Sequence, residues 1–366
     1  MYIVIFVTLV AIFLTYLESH GRMKNGMFLG FVLVTLLGCI HYDYGNDYMA
    51  YQAMFKELTS LPLSIDSLVN DEYGHEPGWV ILNHFFSHVG GFYMMVAVLN
   101  IIQNSIYYHF IKDNVQKTNW AIAVMIYLMS TSLYVLNFSL MRQGLAISLF
   151  IWAWSFIKKK RIIPSLLIIG IASSIHYSAQ ITIPFVLLPF ISLSKKAISV
   201  VYAVLIVVLY VSSSLLSDTF EALAALENLQ GTQSLEYYQR NESNTVTYGM
   251  GFVLNLIPFI IAVWGLFTKD KLFDDEKKML VMLSMFNFII APFVQVLQML
   301  GRFSMYFSAF DVAAIPFIYT LLPNKKVYQI LMFIFIFMLV YSYIMFFLSD
   351  VYSNYYTTYH TIFGVL

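Results

Sequence analysis

"LNFSLMRQGLAISLFIWAW", residues 136–154, carries one arginine and no acid in a stretch otherwise apolar enough to lie in a lipid bilayer. A charge at membrane depth costs about 3 kcal/mol or more without compensation, so such a residue serves a ligand or a buried counter-charge. The stretch therefore asks which negative group Arg142 meets. Runs of this kind recur along all 366 residues. Of these, 60% are hydrophobic and only 11% charged, which excludes an ordinary soluble domain and indicates a multi-pass membrane protein. The expected architecture is an all-α, polytopic membrane helix bundle. Helices are expected near 2–17, 27–40, 91–111, 119–137, 139–157, 162–178, 180–193, 197–216, 249–267, 279–300, 303–322 and 327–348, about twelve crossings. The runs 27–40 and 180–193 are short. "GWVILNHFFSHVG" (78–90) is apolar but shorter still, and reads as a re-entrant or interfacial helix.

The basic residues orient the bundle. Short cytoplasmic loops are enriched in Lys and Arg, and one alternate set of loops here holds sixteen of the twenty. The other set holds Lys56, Arg142, Arg240 and Arg302. That split predicts both termini on the outer side of the membrane. The N-terminal "MYIVIFVTLVAIFLTYL" lacks a basic region and a small-residue cleavage site, and reads as a retained first helix. A formal net charge of zero gives no basic face for nucleic acid. Cys39 is the only cysteine, so no internal disulfide forms, and it reads as a packing residue. Residues 41–77, with an amphipathic piece near 47–58, and residues 217–248 form two outer loops. The chain reads as one integral membrane domain, 1–366, without a soluble catalytic domain.

Under this topology the unusual polar residues collect at one level. His41, Asp43 and Asp47 begin the first outer loop and Glu76 closes it; Arg142 opens a helix, His176 closes another, and Arg302 lies in a tight turn at "MLGRFSMYF". Three of the four outer basic residues are arginines, against two of sixteen inside. The guanidinium fork binds phosphate oxygens in a bidentate manner, so the collection suits a phosphate-bearing ligand that arrives from the membrane. Other readings stand beside this one. Arg142 can pair with Asp43, Asp47 or Glu76 as a structural ion pair, and Arg302 and Arg240 can be solvated. His176 can bond a helix-end carbonyl. Asp43 and Asp47, at i and i+4, would share a helix face and could hold a divalent cation, but no third ligand is evident and no metal is expected. Tyr48 and Tyr51 can belong to an interfacial aromatic belt.

"HYDYGNDYMAYQAMF" (41–55), "EPGWVILN" (76–83), "MRQGLAISL" (141–149), "SSIHYSAQITIP" (173–184) and "GRFSMYF" (301–307) together resemble the successive signatures of the EpsG family of Wzy-type polysaccharide polymerases. They stand in the family's order and cover most of the chain. One departure is His41, where the family usually has arginine. The resemblance implies a GT-C-like membrane glycosyltransferase with no cofactor. It would join oligosaccharide repeat units carried on undecaprenyl pyrophosphate, with inversion at the anomeric carbon, on the outer face of the bacterial plasma membrane. Its partners would be the lipid-linked donor and acceptor, the bilayer and, as a candidate, a chain-length regulator. On this reading Arg142 and Arg302 bind pyrophosphate, and His176, Asp47 or Glu76 is the base. His41, Asp43, Tyr48, Tyr51, Gln143, Tyr177 and Arg240 are the expected substrate contacts. A glycan ligase with the same donor, a lipid-linked sugar flippase and a membrane acyltransferase are the rivals. The helices bearing Arg142, His176 and Arg302 are expected to line one outward cavity roofed by the 41–77 and 217–248 loops, with 217–248 as the mobile element.

Overall fold

A computed structural model describes residues 1–191, 250–290 and 299–365, together with 194, 196, 198–200, 202–204, 207 and 294. The expected helix near 197–216, the loop 217–248 and Arg240 therefore lie largely or wholly outside the described residues. Close backbone contacts divide the chain into two units, Met1–Phe190 with Leu339–Leu366, and Ile191–Met338.

The first unit begins with α1 (Tyr2–Ser19) and α2 (Gly26–Ile40), packed as an antiparallel pair. A two-residue strand β1 (His41–Tyr42) leads into the amphipathic α3 (Tyr48–Ser60), a short α4 (Ile65–Val69) and α5 (Pro77–His88). Then come α6 (Gly91–Asn114), α7 (Trp120–Met129), α8 (Met141–Ile157) and α9 (Ile162–Ile175). The expected amphipathic and short apolar helices of the first loop thus form as α3 and α5. The expected span 119–137 does not: α7 stops at Met129, and Thr131–Ser139 is turn and 3₁₀ structure. The helix expected over 180–193 is a 3₁₀ segment, Tyr177–Phe190, carrying Pro184 and Pro189. At about 2.0 Å per residue, fourteen residues in 3₁₀ form reach about 28 Å, against about 21 Å as an α-helix. Tighter winding thus gives a short run nearly the thickness of a hydrocarbon core.

The second unit holds α10 (Met250–Thr268), α11 (Asp275–Ile290), α12 (Met299–Thr320) and the first part of α13 (Lys325–Leu348). After α13 the chain returns to the first unit with α14 (Ser353–Tyr356) and two strands, β2 (His360–Thr361) and β3 (Gly364–Val365). Among the described residues, α1, Leu300–Thr320 and α13 are long and apolar enough to cross a membrane. Five further apolar helices are shorter: α2, α8, α9, Tyr177–Phe190 and Leu256–Thr268. The chain is an all-α membrane protein; among the described residues three helices have spanning length and composition, where about twelve crossings were expected. α6 is long enough but too polar for that class, because Asn100, Gln103 and Asn104 lie on its buried side. Asn100 and Asn104 Nδ2 donate to α6 carbonyls one turn back, and Tyr127 donates to Asn104 Oδ1 at 2.9 Å, so these amides are satisfied within the protein rather than by lipid. Cys39 packs between helices as expected, its thiol donating to the Ala97 carbonyl at 3.4 Å.

Both termini lie at one end of the first unit. The Met1 amino group donates to the Thr357 carbonyl at 2.5 Å, and β1 pairs antiparallel with β2, which pairs with β3. Tyr44 is buried against Tyr356, Tyr359 and Phe138, fastening the C-terminal segment to the start of the first loop. The turn there needs a glycine. Gly45 has φ +114° and donates to the Tyr355 carbonyl, and a Cβ at this position would lie 3.1 Å from the Phe138 backbone.

Candidate functional site

Arg142 lies in the first turn of α8, where the helix dipole presents its positive end. The position is unfavourable for a cation unless an anion stands close. Glu76 provides it: Arg142 Nη1 donates to Glu76 Oε2 at 2.6 Å, with side chains 21% and 7% exposed. Of the three acids that could answer Arg142, the structure selects the one that closes the first loop. The guanidinium also lies 5.8 Å from the Tyr51 ring centroid, a cation–π contact.

Glu76 is held there by helix starts and ends. It is the N-cap residue of α5, and Pro77 at the first helical position fixes the entry of the chain. Gly78 then lets α5 approach the end of α9: a Cβ would stand 2.8 Å from the Ser174 carbonyl oxygen. That close approach brings Glu76 to the C-terminal end of α9, where His176 is the C-cap. His176 Nδ1–H donates to Glu76 Oε1 at 2.9 Å, and the Tyr177 backbone N–H donates to the same oxygen at 3.3 Å. Burial alone would raise the Glu76 carboxyl. The hydrogen bond from His176 and the charge of Arg142 outweigh it and hold its pKa at about 2. Glu76 is therefore held as an anion at neutral pH and is a weak proton acceptor.

Two buried polar atoms flanking this carboxylate lack a partner: Arg142 Nε and His176 Nε2. A histidine whose Nδ1–H is fixed by a carboxylate presents its Nε2 lone pair outward, the arrangement that prepares an imidazole to accept a proton. The unused Nε–H of Arg142 can donate to an oxyanion while Nη1 stays with Glu76.

The other expected contacts fall into several groups. His41 is 1% exposed, its Nδ1 2.6 Å from the Gly38 carbonyl and its ring packed on Tyr48 and Phe138. Burial holds its pKa down at about 4, so it is neutral at pH 7 and structural rather than a ligand of phosphate. Tyr48 is fully buried, its hydroxyl donating to the His41 carbonyl, so it too packs the loop rather than meeting substrate. Gln143 is also buried. Asp43 and Asp47 precede α3 instead of sharing a helix face: Asp43, at φ +45°, is exposed in the turn, and Asp47 is the α3 N-cap residue. The paired face required for a cation is thus not formed. Asp47 is held by its neighbours. Its N–H donates to Ser139 Oγ at 3.0 Å, the Ser139 hydroxyl donates to Asn46 Oδ1, and Asn46 Nδ2 donates to the Asp47 carboxylate. Tyr51 is buried beside Arg142, and Tyr177 is 53% exposed beside Glu76. Arg302 lies in the first turn of α12, exposed, and not in an interhelical turn; it belongs to the second unit.

Sequence reasoning missed two supports of this site. Ser139 sits one turn before Arg142 and ties the Asp47 loop to it, but a lone serine in an apolar run gives no signal. Gly78 was legible only as part of "EPGWVILN"; its close approach to Ser174 needs the fold.

The first unit of this all-α membrane protein thus joins an arginine and a histidine through one carboxylate. The sequence matches the EpsG family over residues 24–361, and the chain belongs to that family. Membership gives it a role of the polysaccharide-polymerase type. No curated protein and no solved structure matches it.

Proposed function

We propose that this protein is a Wzy-type polymerase of GT-C-like architecture, crossing the bacterial plasma membrane about twelve times with both termini outside. It joins undecaprenyl-pyrophosphate-linked oligosaccharide repeat units by inverting glycosyl transfer. The observation that carries the reading is Glu76, bonded to Arg142 on one side and to His176 on the other. Inverting transfer needs one base on the acceptor hydroxyl and a stabilised leaving group, and no covalent nucleophile. His176 Nε2 takes the acceptor proton while the acceptor oxygen attacks the anomeric carbon and the bond to pyrophosphate breaks. Arg142 receives the negative charge that develops on the departing pyrophosphate. A pyrophosphate oxygen accepts from Arg142 Nε–H while Nη1 stays with Glu76, whose charge supports the imidazolium. Asp47, tied to Ser139, lies on the acceptor side of the same loop. The arrangement needs no metal.

The test is glycan gel analysis of a deletion strain complemented with wild-type protein, His176→Ala or Arg142→Ala. Loss of the ladder with the single-unit band retained is the expected result for the deletion and both variants. Loss of both ladder and single-unit band in the deletion points instead to transport and overturns the reading.

A further inference from the structure

The loop carrying Glu76 is strongly acidic: residues 41–77 hold seven carboxylates against one lysine, Lys56. Glu76 alone among them has a basic side-chain partner among the described residues, and Glu57, Asp71 and Glu72 are exposed. Asp71 stands at φ +56° in the turn that leads to His75 and Glu76. Beside this acidic strip stands Tyr177. Its ring is 53% exposed, and its backbone N–H is bonded to Glu76 Oε1, the oxygen that also accepts His176 Nδ1–H. The Tyr177 backbone is therefore held beside the candidate base. Both Asp71 and Glu76 act electrostatically on Tyr177, and Glu57, Asp71, Glu76 and Arg142 all act on His75. These residues thus border the Glu76 cluster. The cluster itself contains an unanswered group, since His176 is nine-tenths buried with Nε2 unpartnered.

An exposed tyrosine ring offers the flat apolar face on which a pyranose stacks, with a hydroxyl at its edge. Carboxylates accept hydrogen bonds from sugar hydroxyls and attract an ammonium group, but they repel another carboxylate. We propose that Tyr177, His75, Glu57 and Asp71 form the subsite for the acceptor sugar, and that its charge admits neutral or amino sugars while rejecting uronic acids. This rests on the polymerase reading and specifies which class of repeat unit the enzyme extends.

The test uses the full chain in lipid nanodiscs, titrated at low salt with methyl glycosides of glucose, glucosamine and glucuronic acid and followed by saturation-transfer NMR. The glucuronide is expected to bind about tenfold more weakly than the other two, from the summed repulsion of several carboxylates. In Glu57→Gln/Asp71→Asn, or in about 0.5 M salt, the gap should narrow to about threefold or less. Tyr177→Ala should weaken all three alike without lowering thermal stability. Equal binding of glucuronide by the wild type, no binding of any glycoside, or an unchanged pattern in Tyr177→Ala overturns the proposal. Failure of the polymerase reading is separate, because it shows in the deletion-strain ladder and not in sugar discrimination.

Discussion

Replacing Arg142 by methionine, Glu76 by glutamine, and then both together separates the two things Arg142 can do. The pair stands at 2.6 Å with the carboxylate side chain 7% exposed, so either single substitution leaves a charge largely out of water. Removing one partner of a fully buried pair costs 3–5 kcal/mol; the 21% exposure of the Arg142 side chain lowers the expected cost here to about 2 kcal/mol for each single variant. In a chain of this size that is a fall of about 3 °C in apparent melting temperature. The double variant removes both charges, and the amide oxygen of the introduced glutamine would still accept from His176 Nδ1–H and the Tyr177 N–H. It should return to within about 1 kcal/mol of wild type, the excess being the coupling between the two sites. Thermal shift in nanodiscs gives the stabilities, and the glycan ladder of complemented deletion strains gives activity. If Arg142 binds pyrophosphate, the double variant is stable and makes no polymer. A double variant that regains both stability and the ladder reduces Arg142 to a structural counter-charge and removes it from the mechanism. Singles as stable as wild type would show that the pair contributes nothing.

Three further outcomes are expected. The Glu76 carboxyl is held at about 2, below its ordinary 4.5, so its stabilising contribution is present above pH 4.5 and is lost as pH falls through 2. After allowance for screening, wild type should exceed Glu76→Gln by about 2 kcal/mol at pH 7, and the gap in thermal shift should close in that acid window rather than at higher pH. Gly78→Ala should cost about 1–3 kcal/mol and shorten glycan chains, because its Cβ meets the Ser174 backbone and forces α5 off α9; unchanged chain length would show that the Glu76–His176 spacing tolerates the shift. In the second unit, Asp311 accepts hydrogen bonds from Ser284 Oγ and, at 2.7 Å, from Asn287 Nδ2. Asp311→Asn should therefore set an amide donor against a donor and cost about 1–3 kcal/mol, while adding Asn287→Asp should restore most of it in the same thermal assay.

How far the fold could be read from sequence depended on which signal each segment carries. Hydrophobic runs with clear ends, such as 2–17 and 327–348, correspond to α1 and α13 to within about two residues at each end. The amphipathic period placed α3, and the shortness of "GWVILNHFFSHVG" correctly kept α5 out of the spanning class. Hydropathy failed where winding and tertiary contacts decide. It cannot tell a 3₁₀ run from an α-helix, so Tyr177–Phe190 looked too short. Nor can it see that the apolar run after Trp120 breaks at Met129, where Leu133, Tyr134 and Val135 are buried in turn and 3₁₀ structure instead of a continued helix. The polar stripe of α6 was obscured for the opposite reason: its amides are buried and bonded within the protein, so a helix that counts as polar by composition can still be buried.

The site divides along the same line. Charge in an apolar run is a strong signal because it has few cheap explanations, and Arg142 was singled out on that ground alone. Its partner was one of three acids, and sequence distance could not choose among them. What chose was helix geometry: a cation in the first turn of α8 opposes the helix dipole, and the acid that relieves it is itself an N-cap residue, brought across by Gly78 packing on Ser174. Histidine and tyrosine were harder, because both are common as satisfied core residues. His41 and His176 each follow a helix end, and each stands between an isoleucine and a tyrosine in the sequence. One has its Nδ1 against the Gly38 carbonyl and the other against a carboxylate, and only the second leaves a basic nitrogen beside a charge. The immediate neighbours of the two are the same, so the difference between a packing histidine and a candidate base lay in the fold, above all in which acceptor reached Nδ1.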